Sequence, residues 1–195
     1  MVSLRSLNIA FVTIMVLGCR GAVKQSNVPP NSFPWNPNNP PNWSDFKGKP
    51  RLFSNHTATT CSFIDYEEAS LGDSVQAEVT VYFCRDSSWS MRKYENKYLL
   101  NHERRHFDLA EIQARKIREY LQAFDGKGMN DYHCYIELGR GSVFNDSLNR
   151  QYDVETNHSI NKFQQGVWDR KIDSLLEIYE EYKNPKFRVS LGWGR

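Results

Sequence analysis

One short segment of the chain has the residue types and the spacing of a hydrolytic metal site. Residues 102–106 read His-Glu-Arg-Arg-His, with a glutamate directly after the first histidine. On an α-helix, residues four positions apart lie on the same face, so both imidazoles can bind one zinc ion. Glu103 would then accept a proton from the water in the open position of that ion. The segment therefore predicts His102 and His106 as metal ligands and Glu103 as the catalytic base.

The residues around this motif place it on an apolar helix face. At about 100° per residue, those within about 60° of His106 are mostly apolar. They are Leu99, His102, Glu103, Leu109, Ala110, Gln113, Ile117, Tyr120, Leu121 and Phe124. The opposite side carries Arg104, Arg105, Asp108, Glu111, Arg115 and Glu119. Burying a carboxylate is costly unless it is compensated. A metal ion would compensate Glu103, and the alternative is a hydrogen-bonded cluster of histidine and glutamate without metal.

The periodicity of the rest of the chain predicts the scaffold that must position this motif. From Ser74 to Phe83, apolar and polar residues alternate as in a half-buried strand, and a second strand-like run surrounds Cys61. Helices are predicted from about Met91 to Phe124 and from about Ser159 to Tyr182. Between them, residues 133–138 (HCYIEL) are predicted as a short strand. The predicted fold class is α+β, with a small antiparallel sheet packed on the motif helix and on a second, C-terminal helix.

Length and charge narrow the function classes. The chain has 195 residues, of which 39% are hydrophobic and 25% charged, and this composition suits one globular domain with extensions. Its formal net charge is +2, and its Lys and Arg residues are scattered along the sequence. A nucleic-acid-binding domain usually concentrates basic residues on one face. We therefore expect no nucleic-acid partner.

The N-terminal segment has the composition of an export signal. Residues 7–17 form an apolar run that is too short to span a bilayer and suits a signal peptide. The Val-Leu-Gly-Cys sequence that ends at Cys19 resembles a bacterial lipobox. We expect residues 1–19 to be a signal peptide, with Cys19 as the lipidation site that anchors an exported protein in the cell envelope. A plain secretion signal is the alternative.

The next segment is predicted to separate this anchor from the domain. Residues 20–42 are dense in Pro and Asn, which favours a linker over a packed structure. The folded domain is therefore expected to span residues 43–195.

The domain contains three cysteines whose pairing the spacing does not determine. They are Cys61, Cys84 and Cys134. An export compartment permits disulfides, and Cys61 and Cys84 lie in the two strand-like runs, which can be neighbours in a sheet.

Several segments resemble a bacterial family known as domain of unknown function 922, described as predicted secreted zinc-dependent proteases. The matching segments are WSDFKGKP, LLNHERRHFDLAEIQARKI, YDVETNHS and QQGVW, together with the strand pair, and they lie between Trp43 and about Leu176. The resemblance implies a zincin-like fold and a metallopeptidase role that uses Zn²⁺. Two features depart from the family pattern: Arg104 and Arg105 are charged, and Ser159 stands where glycine is expected.

A catalytic zinc site needs a third protein ligand. The family-like segment YDVETNHS points to His158, just before the second predicted helix, and we predict it as that ligand. Glu155 is the alternative, because a glutamate completes many sites of this type. Whichever of His158 and Glu155 does not bind the metal would orient the ligands through hydrogen bonds. Glu111 lies about 140° from His106 around the helix, so it faces away from the site.

Together these residues predict hydrolysis of a peptide bond. Zn²⁺ held by His102, His106 and His158 would activate a water, and Glu103 would take its proton. The expected substrate is a peptide or a protein. Two alternatives stay open: a non-catalytic, zinc-containing envelope lipoprotein that acts as a binding module, and a hydrolase of amide bonds in cell-wall material.

Overall fold

The sheet is built around one long strand. The computed structural model describes residues 28–51, 54, 56–143 and 147–192. Its strands are β1 (Ser32–Pro34), β2 (Ala58–Thr59), β3 (Ser62–Ser70), β4 (Ser74–Cys84), β5 (Trp89–Ser90) and β6 (Lys186–Ser190). β4 pairs antiparallel with β3 along one edge and with β1 and β6 along the other, while β2 and β5 form a separate two-stranded sheet.

Four helices lie in the described part of the chain. They are α1 (Lys97–Gln122), α2 (Gly128–Val143), α3 (Ser147–Thr156) and α4 (Lys162–Ile178). Three short 3₁₀ turns cover Trp43–Asp45, Arg92–Tyr94 and Glu180–Tyr182. The α+β class, with a small antiparallel sheet and the motif on a long helix, is therefore confirmed. None of the described helices is long and apolar enough to span a membrane.

The alternation predicted for β4 is confirmed. Its predicted inward-facing apolar residues are at most 1% exposed, and they pack against α1. They are Val75, Ala77, Val79, Val81 and Phe83. Because successive side chains of a strand point to opposite faces, the intervening residues lie on the other side of the sheet.

Helix α1 is buried on two sides. Asn96 caps its start by accepting a hydrogen bond from the Leu99 backbone NH (2.9 Å). One side packs on the sheet and α2, and the other forms a second core with α3 and α4 through Leu109 and Ile112. Glu111 and Arg115, opposite the predicted apolar face, are also buried, at 2% and 3% exposure. The charged side of α1 is therefore partly buried as well, because other parts of the chain pack on both sides of this helix.

Three other predicted features differ in the structure. Residues 32–34, assigned to the linker, form β1 and pair with Tyr82–Cys84, so ordered structure begins before Trp43. Residues 133–138, predicted as a strand, lie within α2. Ile136 in this segment and Tyr132, directly before it on α2, are both buried in the main core. Their spacing of four places them on one helix face, whereas a strand would carry its buried residues at a spacing of two. Helix α3 was not predicted.

Candidate metal site

Three ligand atoms from two helices converge at one point. His102 Nε2 and His106 Nε2, both on α1, lie 3.2 Å apart. Asp153 Oδ1 on α3 lies 3.3 Å from the first and 3.2 Å from the second. Among the described residues, these three form a group able to hold a metal ion. We refer to His102, His106 and Asp153 as the triad.

The triangle of triad atoms has the size of one face of a zinc coordination tetrahedron. Ligand atoms about 2.0–2.1 Å from a tetrahedral zinc ion lie about 3.3–3.4 Å from one another. The observed separations of 3.2–3.3 Å are close to that value. Two imidazoles and a carboxylate also belong to the ligand types that zinc takes. The triad therefore fits a small cation in both geometry and chemistry.

The hydrogen bonds made by Nδ1 of each histidine show which atoms Nε2 faces. His102 Nδ1 lies 2.9 Å from Gln165 Oε1, and His106 Nδ1 lies 2.8 Å from Asn149 Oδ1. Gln165 Nε2 donates to the carboxylate of Asp169 (2.9 Å), which fixes the amide orientation and leaves its oxygen toward His102. An oxygen partner requires each Nδ1 to carry the hydrogen, so a neutral imidazole directs a lone pair from Nε2.

Three electron-rich atoms at this distance need a positive charge between them. Burial on its own disfavours the charged form of His106, but the hydrogen bond to Asp153 and the charges of Glu103 and Asp153 outweigh it and raise the pKa to about 9. Burial likewise disfavours ionised Asp153, yet hydrogen bonds from His102 and His106 hold its pKa well below the usual range. At neutral pH a proton can satisfy the triad, and a bound cation must displace it.

Tyr152 and the turn after α3 position Asp153. The Tyr152 ring stacks on His102 with centroids 4.6 Å apart, and its hydroxyl donates to Gln165 Oε1 (3.0 Å). After α3, the consecutive residues Asn157, His158 and Ser159 all have positive φ (48°, 51° and 73°). This left-handed turn reverses the chain into α4. Ser159, where the family pattern expects glycine, has the φ that glycine adopts most readily.

Glu103 lies next to His102 on α1 with an unused carboxylate oxygen. The residue is 3% exposed, and its Oε2 has no hydrogen-bond partner among the described residues. A buried carboxylate oxygen without a partner is costly, and such groups are concentrated at functional sites. The backbone carbonyl of Glu103 accepts a hydrogen bond from Thr60 Oγ1 (3.0 Å), which ties this turn of the helix to the segment before β3.

His158, the predicted third ligand, contacts Asp153 and lies outside the triad. Its Nδ1 is 3.4 Å from Asp153 Oδ1, its side chain is 48% exposed, and its ring packs edge-on against His56 at 4.6 Å. Its role as a ligand stays a prediction. Sequence reasoning overlooked Asp153, although this carboxylate belongs to the same YDVETNHS segment that suggested His158.

The other acidic candidates point elsewhere. Glu155 accepts hydrogen bonds from Gln151 Nε2 (2.7 Å) and Trp168 Nε1 (2.8 Å), so it joins α3 to α4. Glu111 pairs with Arg115 and Arg118 in the interior. Asp108, also on the charged side of α1, pairs with Arg105 (3.1 Å).

A cavity of about 830 Å³ lies elsewhere along α1. It is bounded by Trp35 and the proline-rich residues after it, by Arg104 and Arg105, and by Asp173 of α4, and none of the triad residues lines it. The side chains that could hold a metal ion therefore converge at the triad and not at this cavity.

Several sequence-based predictions lie outside what this geometry describes. The signal peptide and Cys19 lie outside the described residues, so lipidation and export stay predictions. The resemblance to domain of unknown function 922 also stays a prediction. No family model matches the chain, and neither a curated protein nor a solved structure matches it.

Proposed function

We propose that this protein is a zinc-dependent metallopeptidase with a zincin-like site, exported to the cell envelope and anchored there through Cys19. The observation that carries the proposal is the convergence of His102 Nε2, His106 Nε2 and Asp153 Oδ1 at 3.2–3.3 Å, beside the buried carboxylate of Glu103. The ligand set that this geometry favours is His102, His106 and Asp153. The set with His158 in the third position is the alternative.

The residues divide the chemistry between them. Zinc, when bound, lowers the pKa of a water molecule and polarises the carbonyl of the scissile bond. Glu103 accepts the proton that this water loses as its oxygen attacks the carbonyl carbon. The same carboxyl group then gives the proton to the leaving amine as the carbon–nitrogen bond breaks. The unpartnered Oε2 of Glu103 supports this role, because no hydrogen bond within the described structure competes for it.

Tyr152 serves this site as a support. Its hydroxyl is engaged with Gln165 and lies 3.3 Å from the His102 backbone carbonyl, so it is not free to stabilise an oxyanion. The side chain is fully buried, and its ring stacks on His102. Tyr152 therefore orients a ligand in this proposal and does not contact substrate.

The test combines metal content with turnover. Full-length protein is reconstituted with zinc and dialysed, its metal is measured by elemental analysis, and hydrolysis is followed on panels of peptides and of cell-wall muropeptides. We expect about one zinc per chain in wild type and in Glu103→Gln, and none in His106→Ala. Glu103→Gln should lower turnover by at least about 100-fold while retaining zinc.

The outcomes also separate the alternatives. Zinc in wild type without hydrolysis of any substrate would favour a binding lipoprotein with a structural ion and contradict the proposed activity. Cleavage of muropeptides alone would favour an amide hydrolase of the cell wall. Wild type that retains no zinc would contradict the metal site itself.

A further inference from the structure

Cys61 and Cys84 are direct partners across the β3–β4 ladder. The register pairs Ser62 with Phe83, so the next step along the two strands places Cys61 opposite Cys84. A backbone hydrogen bond from Cys84 NH to the Cys61 carbonyl (2.9 Å) continues the ladder to this pair. Both residues are free thiols in the structure. Because opposite residues in an antiparallel pair project from the same face, the two thiols are neighbours on one side of the sheet.

The spacing of such a pair suits a disulfide. The Cα atoms of a hydrogen-bonded antiparallel pair lie about 5.5 Å apart, within the range of about 4.4–6.8 Å found across disulfides. Ser88 holds Cys61 from its other side, because Ser88 Oγ accepts a hydrogen bond from the Cys61 NH (2.9 Å). The Cα separation expected for this pair therefore lies within disulfide range, and closing the bond requires only that the two Cβ atoms approach each other by up to roughly 1 Å.

We infer that Cys61 and Cys84 form a disulfide when the protein meets a thiol oxidant, and that this bond links β3 to β4 beside the Glu103 segment. The step balances with a small-molecule disulfide such as oxidised glutathione. The Cys61 thiolate attacks one sulfur of the oxidant and releases one reduced thiol. The Cys84 thiolate then attacks the sulfur of Cys61 and releases the second. Two protons leave the protein thiols and are taken up by the two reduced products.

The exposure of the two residues agrees with this order of attack. Cys61 is half-buried and can meet an oxidant, whereas Cys84 is only 3% exposed. Burial raises the pKa of the Cys84 thiol to about 11, and Cys61 adds to this increase. A buried thiol of high pKa reacts slowly with outside reagents, but it needs to reach only its neighbour in the second step. Cys134 is exposed on α2 and serves as the comparison thiol.

The bond lies next to a contact of the proposed catalytic helix. Thr60, directly before Cys61, donates its hydroxyl hydrogen to the backbone carbonyl of Glu103. The disulfide would therefore hold the start of β3, and with it this contact, against the rest of the sheet. The inference does not depend on the proposed function, because it concerns the two strands alone.

The test is peptide mapping of the full chain after incubation with oxidised glutathione and alkylation of the remaining thiols. The sequence has no Lys or Arg between Cys61 and Cys84, so trypsin releases both in one peptide, residues 52–85. We expect this peptide without alkylation and about 2 Da lighter than its reduced form. Further cleavage after Glu67, Glu68 and Glu78 should leave two peptides joined until a reductant is added.

Thermal unfolding gives an independent readout. Oxidation should raise the melting temperature of wild type and of Cys134→Ser by roughly 5–15 °C and leave that of Cys61→Ser unchanged. The inference is overturned if Cys61 is alkylated to the same extent as Cys134 in oxidised wild type, or if either partner is found joined to Cys134. The mapping uses wild type alone, so it stands even where a serine variant does not fold.

Discussion

His102 Nε2 and His106 Nε2 lie 3.2 Å apart, and both face Asp153 Oδ1. Two neutral imidazoles and a carboxylate oxygen at this distance present only lone pairs to one another, because each Nδ1 hydrogen is directed to an amide oxygen. Such an arrangement is stable only with a proton or a cation at its centre.

Asp153→Asn should weaken zinc binding by more than about 100-fold, because the carboxylate supplies one of three ligand atoms and the negative charge of the site. The matched control is Glu155→Gln, an acid two residues further along α3 whose oxygens bond Gln151 and Trp168. Competition with a chromophoric chelator measures both affinities.

His158→Ala decides between the two ligand sets. A loss of zinc affinity as large as that of Asp153→Asn, with normal folding, would restore His158 as the third ligand.

Gln165→Ala should lower zinc affinity by about 10–100-fold, although this side chain lies outside the triad. Gln165 is 1% exposed, and its Oε1 holds the Nδ1 hydrogen of His102 (2.9 Å), which fixes the tautomer that directs Nε2 toward Asp153. Gln164→Ala is the control of the same residue type on the same helix. The prediction fails if both variants, shown to be folded by circular dichroism, bind zinc as wild type does.

The metal-free protein should lose stability between pH about 6.5 and about 9. Hydrogen bonding to Asp153 raises the pKa of His106 to about 9 against the burial that opposes it. A raised pKa means that the folded state binds the proton more tightly, so the contribution is complete below about pH 6.5, the ordinary value, and lost above about 9. Urea unfolding of EDTA-treated protein should show a fall of up to roughly 3 kcal/mol across this window.

Asp153→Asn is the control for this pH dependence. It removes the hydrogen bond to the Asp153 carboxylate and one of the two charges that raise the His106 pKa, while Glu103 remains, so the fall should become smaller in this variant. A free energy of unfolding that stays level or rises from pH 6.5 to 9 in wild type would contradict the protonated triad.

Glu111→Gln should destabilise the fold by about 3–5 kcal/mol without changing zinc content. Glu111 Oε1 accepts hydrogen bonds from Arg115 Nε (2.9 Å) and from Arg118 Nη1 (2.8 Å), and all three residues are at most 3% exposed. Removing the carboxylate leaves two buried guanidinium groups without their shared counter-charge. Arg118 also bonds the carbonyls of Val79 and Tyr182, so the damage should extend to β4 and the segment after α4.

Glu119→Gln is the matched control for Glu111→Gln, because Glu119 lies on the same helix and is exposed. Its effect on the free energy of unfolding, measured in urea, should stay within about 0.5 kcal/mol. Equal effects of the two substitutions would show that the buried charge cluster contributes little to stability.

The residues on α1 and β4 were predictable because their signals are local. The helical repeat places His102, Glu103 and His106 together whatever surrounds the helix, since residues one turn apart share a face. The strict alternation in Ser74–Phe83 similarly identifies a strand with one buried face. The exclusion of Glu111 from the site also followed from its angle on the helix, and the structure shows it paired with arginines instead.

The remaining features depended on contacts between distant parts of the chain. The sequence by itself determined a helix that carries two histidines and a glutamate on a buried face, and the strand that packs against it. Only the tertiary structure decided that Asp153 completes the triad, because the turn at Asn157–Ser159 and the stacking of Tyr152 on His102 bring α3 onto α1. It also decided that Ser32–Pro34 forms a strand, since a segment this short and proline-rich has little β preference until β4 provides its hydrogen-bond partners.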